Sequence, residues 1–157
     1  SQMKELIYKF YCLIYESDFS LAKKRALLTA VMAYEQWSWR VVGITEDAIR
    51  VIARNGFRKP KHALARDHTQ PRAITYTKVF CSGLMPFEEW WNWIWTHDKT
   101  ILMTNKEHNS KNVSKVYPVD PGVGLFRSTG LVGWRHTIAI EGEFVRQLTN
   151  QYSIKIV

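Results

Sequence analysis

Asp67 and His68 stand side by side in the run Arg66-Asp-His-Thr-Gln-Pro-Arg72. A carboxylate next to an imidazole offers metal binding and proton transfer from consecutive residues. On an extended backbone neighbouring side chains point to opposite sides, so one can hold a cation while the other works on a different atom. A second chemically suggestive run is Thr104-Asn-Lys-Glu-His108-Asn-Ser-Lys-Asn112. Thr104 followed by Glu107 has the spacing of a capping box, which predicts a short helix from about residue 105. On that helix His108 and Asn112, four residues apart, would share a face. Carboxylate, imidazole and amide oxygen form a mixed oxygen and nitrogen donor set suited to Mg²⁺ or Mn²⁺ and tolerant of other divalent ions. Each feature alone is also ordinary polar surface; it is the combination between Arg66 and Asn112 that points to a metal-dependent centre.

These stretches resemble the HNH, or His-Me finger (ββα-metal), endonucleases. In that family a two-stranded turn carries a metal ligand followed directly by the general-base histidine, and a short helix supplies further ligands as His-x-x-x-His or His-x-x-x-Asn. The resemblance implies Asp67 as a ligand, His68 as the base, and His108 and Asn112 as the ligands on the helix. The run from Asp98 to Asn109 is similar to the family's second strand and helix start. Asp98 lies nearest the place of the middle asparagine that orients the base in the family, with Asn92 second. The stretch between His68 and the second strand is longer than in the family, and the zinc-binding cysteine pairs of many members are absent. The implied activity is hydrolysis of phosphodiester bonds in nucleic acid, double-stranded DNA first, with one divalent ion, giving 5′-phosphate and 3′-hydroxyl ends. A phage or mobile-element nuclease of restriction or homing type fits that reading, located in the cytoplasm and acting alone or as a homodimer. The alternative, from a different class, is a non-catalytic nucleic-acid-binding or regulatory protein that uses the same basic face.

The elements that must position these residues belong to a chain of 157 residues, long enough to bury a sizeable core. Its 46% hydrophobic content suits a globular protein, and no apolar run approaches the roughly 18 residues of a membrane span. Cys12 and Cys81 form neither a disulfide framework nor a metal-type spacing, and read as buried thiols in a reducing compartment. The polar residues that interrupt the opening segment argue against an export signal. With 22 Lys and Arg against 14 Asp and Glu, the formal charge is +8 and the pI about 9.6, a balance that favours polyanionic partners. The densest basic stretch runs from Arg54 to Arg72. It supplies the candidate phosphate contacts Arg58, Lys59, Lys61, Arg66 and Arg72, with Lys111, Arg127 and Arg135 beyond it.

The expected fold is α+β, a mostly helical single domain over 1–157 built around the ββα-like motif. A helical layer spans 3–57, with helices over about 3–15, from Asp18 or Ser20 to about Gln36, and, after a break at Gly43, from Thr45 to Asn55. The motif spans 61–113, beginning with an extended arm over about Lys61–Tyr76. A helix inserted at 86–97 starts at Pro86 and carries four of the seven tryptophans at helical spacing, which argues for core packing over base stacking. Thr100–Met103 reads as a strand. Residues 114–157 form a loop-rich region with short extended pieces, a helix around Phe144–Leu148 and a terminal strand over 154–157.

Overall fold

Three hydroxyl side chains fix where helices begin. Ser20 accepts from the Lys23 amide at 3.2 Å, Thr45 from the Ala48 amide at 3.1 Å and Thr104 from the Glu107 amide at 3.1 Å. Each satisfies one orphan donor of a first helical turn. In the computed structural model, which describes residues 2–123, 125–126 and 138–156, these caps open α2 (Leu21–Met32), α3 (Glu46–Arg54) and α6 (Asn105–Ser110). The other α-helices among the described residues are α1 (Gln2–Glu16), α4 (Arg72–Cys81), α5 (Phe87–His97) and α7 (Ile138–Gln151). Strands β1 (Val41–Thr45), β2 (Leu64–His68), β3 (Thr100–Thr104) and β4 (Val116–Pro118) form a sheet in the order β2-β3-β1-β4. The class is therefore α+β. Among the described residues no helix is long and apolar enough to cross a membrane.

Two compact units share the chain, and neither is contiguous. A helical unit takes Ser1–Ser38 and His68–Lys99; a sheet unit takes Trp39–Asp67 and Thr100–Val157. The expected helical layer over 3–57 is thus divided, with α1 and α2 in one unit and β1 and α3 in the other.

In the helical unit, α1, α2, α4 and α5 bury Tyr11, Leu28, Met32, Tyr76, Val79, Trp90 and Ile94 in one core. Tyr11 lies against Trp90 at 5.7 Å between ring centroids and 22° between planes. Its hydroxyl donates to the Val79 carbonyl at 2.7 Å and accepts from the Met85 amide at 3.1 Å. Burial pushes this phenol up to about 12. Trp90 is fully buried while Trp95 is exposed, so the tryptophan stripe is mainly core, as its spacing suggests. The extended arm expected to reach Tyr76 stops earlier: α4 starts at Arg72, directly after Pro71. Its β-branched and aromatic residues read as strand, yet Thr75, Tyr76 and Val79 bury one helical face against the core, and packing overrides weak local propensity.

In the sheet unit, β1 pairs parallel with β3, Ile44 opposite Leu102, and antiparallel with β4, Ile44 opposite Tyr117. The Thr69 amide binds the Lys99 carbonyl and the Asn105 amide binds the Ala63 carbonyl, both at 2.9 Å. The residue numbers run in opposite directions, so β2 and β3 are antiparallel. Helices α3 and α7 pack Ile49, Ile52, Val145 and Leu148 onto this sheet. Gly43, which reads as a chain break, lies inside β1; a Cβ there would come 2.7 Å from the Val116 side chain. The expected terminal strand does not form over the described residues 154–156. Instead the Lys155 and Ile156 carbonyls accept from Arg50 Nε at 3.0 Å and Arg54 Nε at 2.9 Å.

Candidate active site

The first group of functional side chains belongs to the sheet unit. Strand β2 carries Asp67 just before its last residue, and α6 presents His108 one turn after its cap. Helix α6 is held in place mainly by Glu107, which is buried. Its Oε1 accepts from the Thr45 hydroxyl at 2.7 Å and the Thr104 amide at 3.1 Å; its Oε2 accepts from the Ser114 amide and hydroxyl, each at 2.8 Å. Burial alone would raise the Glu107 pKa, but these donors, Thr45 first, bring it below the usual glutamate range. The capping box is therefore also a three-way tie between β1, β3 and the chain after α6.

Across from Asp67 Oδ1, His108 Nδ1 lies 3.5 Å away. This nitrogen is shielded from solvent and makes no hydrogen bond. Two donors each about 2.1 Å from one ion stand roughly 3 to 3.5 Å apart, so carboxylate and imidazole fit a shared divalent cation. Lys111 Nζ lies 3.8 Å from the other carboxylate oxygen. Asn112 does not join through the expected helix face. Helix α6 ends at Ser110, Lys111 turns left-handed at φ 60°, and the Asn112 amide binds Ser110 Oγ at 3.2 Å. The i, i+4 relation to His108 fails because the helix stops two residues short of Asn112. Among the described residues no group of three His, Cys, Asp or Glu side chains is arranged to hold a metal.

The second group belongs to the helical unit and centres on Asp98, which is wholly buried. Its Oδ1 lies 3.1 Å from His68 Nε2 and 3.3 Å from Arg72 Nε; its Oδ2 accepts from Tyr76 OH at 2.8 Å and from the Ser38 hydroxyl. His68 Nε2 also lies 2.9 Å from the Ser38 carbonyl. A carbonyl and a carboxylate can only accept, so Nε2 carries the proton, and in the neutral ring Nδ1 is the basic nitrogen. Burial acts to raise the Asp98 pKa; the His68 bond and the Arg72 charge outweigh it and hold the carboxyl below its ordinary value. The Tyr76 phenol is pushed far up, by burial first and then by the Asp98 charge.

Ser38 and Tyr76 carry no spacing signal that would have placed them here. Asp98 is picked out in the sequence only by its place shortly before β3, nearest that of the family's middle asparagine. The expectation that Arg66 and Arg72 turn outward is not met. Arg66 is only 8% exposed, with its guanidinium carbon 4.9 Å from the centre of the Trp39 ring. Arg72 is committed to Asp98 and to the Ser38 hydroxyl. Arg58, Lys59, Lys61 and Lys111 are exposed. Arg127, Arg135 and His136 lie outside the described residues. No family model, curated protein or solved structure matches this chain.

Proposed function

We propose that the protein is a metal-dependent endonuclease of the HNH type acting on nucleic acid, with double-stranded DNA as the first substrate to try. The observation that carries this reading is the pairing of Asp67 Oδ1 with a buried His108 Nδ1 that lacks a hydrogen bond. A buried polar atom left unsatisfied costs about 1–3 kcal/mol, and a cation would satisfy it. Asp67 and His108 would hold one divalent ion, Mg²⁺ or Mn²⁺. When bound, that ion would polarise a phosphate oxygen and stabilise charge building on the leaving 3′ oxygen.

His68 follows Asp67 directly in the chain and is the candidate base. With Nε2–H directed at the Ser38 carbonyl and Asp98, Nδ1 is the ring nitrogen that would take the proton from water. Asp98 stabilises the imidazolium formed, as a buried carboxylate does for a catalytic histidine elsewhere. It takes the orienting part that the family gives to an asparagine. His68 and Arg72 keep Asp98 ionised, and the Tyr76 and Ser38 hydroxyls hold it in place. Exposed Arg58, Lys59 and Lys61 would contact the phosphate backbone.

The non-catalytic binder is the second reading. It is favoured by Lys111, which already lies against Asp67, and by Asn112, which has left the helix face. A plasmid-nicking assay separates the two: cleavage with Mg²⁺ or Mn²⁺ that EDTA abolishes supports the nuclease, and no cleavage with Mg²⁺, Mn²⁺, Ni²⁺ or Zn²⁺ leaves the binder.

A further inference from the structure

Helix α3 and the residues after α7 make a cationic cleft that contains none of the candidate site residues named above. Arg50 and Arg54 stand one turn apart on α3, and Lys106 of α6 and Lys155 line the same cavity of about 660 Å³ with Asp47 and Thr104. All belong to the sheet unit. Arg50 is largely neutralised, its guanidinium lying 3.2 Å from Asp47 and 3.5 Å from Glu46. The remaining three cations have no such partner among the described residues. Arg54 gives only its Nε, to the Ile156 carbonyl at 2.9 Å. That bond fixes the guanidinium plane and leaves both terminal nitrogens to donate, the fork that binds a phosphate through two oxygens. Lys106 and Lys155 are exposed and add strongly hydrated point charges. Three like charges around one cavity repel each other unless an anion lies between them.

We infer that this cleft binds the phosphodiester backbone of nucleic acid, through Arg54, Lys106 and Lys155. The inference rests on nucleic acid being the partner, but not on catalysis. It moves the phosphate contacts away from the buried Arg66 and the committed Arg72. Among the described residues its lining is charged apart from Thr104 and Val51 and offers no aromatic face for a base, so the cleft would position the strand without reading its sequence.

Binding of a fluorescent duplex oligonucleotide to the full chain, measured by anisotropy in EDTA over a series of salt concentrations, tests this. Lys106→Ala and Lys155→Ala are the informative variants, because neither side chain supports the fold. Each should weaken binding and make the slope of log affinity against log salt shallower by about 0.9, the pair by about twice that. Lys9→Ala, on the exposed side of α1, should leave the slope unchanged. An unchanged slope in the double variant would overturn the assignment. So would an equal fall with Lys9→Ala, absence of duplex binding by the parent chain, or lysine-dependent binding confined to phosphatidylserine vesicles. Lysine-dependent binding in a protein that never cuts would sink the nuclease and leave the cleft standing. Cutting by the parent with an unchanged slope in the double variant would do the reverse.

Discussion

Asp98 shows at the residue scale how one buried carboxylate governs its neighbours. Removing it by Asp98→Ala would strand Arg72, whose side chain is 13% exposed, without its counter-charge. Breaking a buried pair from one side costs about 3–5 kcal/mol, so we predict a loss of that order, read from the urea midpoint. The pH dependence has a definite sign. Burial raises the Asp98 pKa, the His68 bond and Arg72 lower it more, and the net value lies below the ordinary 3.8. A depressed folded pKa contributes stability above the unfolded value and loses it as pH falls through the folded one. The melting temperature should therefore drop once pH goes below about 4. In Asp98→Asn that drop should be smaller, and an equal drop in both proteins would contradict this account. For His68 the expectation is catalytic: His68→Ala should lower turnover by about 10² to 10⁴ with duplex affinity unchanged. Turnover equal to the parent's would remove His68 from the chemistry.

At the scale of elements, what could be read in advance depended on local or non-local causes. Ser20, Thr45 and the Thr104–Glu107 box cap helices within four residues of themselves, so the sequence shows the starts of α3 and α6 directly and narrows that of α2 to Asp18 or Ser20. Asp67 and His108 could be picked out as a donor pair because each lies beside a local signal, the Asp-His step and the box. Helix α4 could not be picked out, since Thr75, Tyr76, Thr77 and Val79 prefer strands and only a distant core makes them helical. Strand β1 was hidden too: Gly43 looks like a break until Val116 packs against it. The end of α6 depends on Lys111 going left-handed without a glycine, so nothing local announced that Asn112 would fall off the face. Gly142 in α7 gives a prediction of this non-local kind. Gly→Ala inside a helix ordinarily gains about 0.8–1.0 kcal/mol. Here the new Cβ would meet the Phe57 carbonyl oxygen at 2.7 Å, a backbone atom that cannot swing away. Gly142→Ala should therefore lower the denaturation midpoint, and a rise would show that α7 can shift off Phe57.

For the whole molecule the topology matters more than the length. The chain passes from one unit to the other after Ser38, Asp67 and Lys99. A single cut therefore never yields both units complete, and Asp67 and His68 fall on opposite sides of a boundary. Each unit nevertheless has a core made from its own residues, with Tyr11, Leu28, Tyr76 and Trp90 in one and Ile44, Ile49, Leu102 and Val145 in the other. A chain ending at Lys99 holds every residue of the helical unit, but it leaves β1 without either β3 or β4. Such a chain should keep α1, α2, α4 and α5 packed around Trp90. Its tryptophan emission should stay blue-shifted and its aromatic circular dichroism should persist, while residues 39–67 become sensitive to protease because their partners are missing. His68, Arg72, Tyr76 and Asp98 are all present in it, so the melting temperature should still fall below about pH 4. Emission matching that of the chain in concentrated urea would show that the helical core depends on the sheet unit.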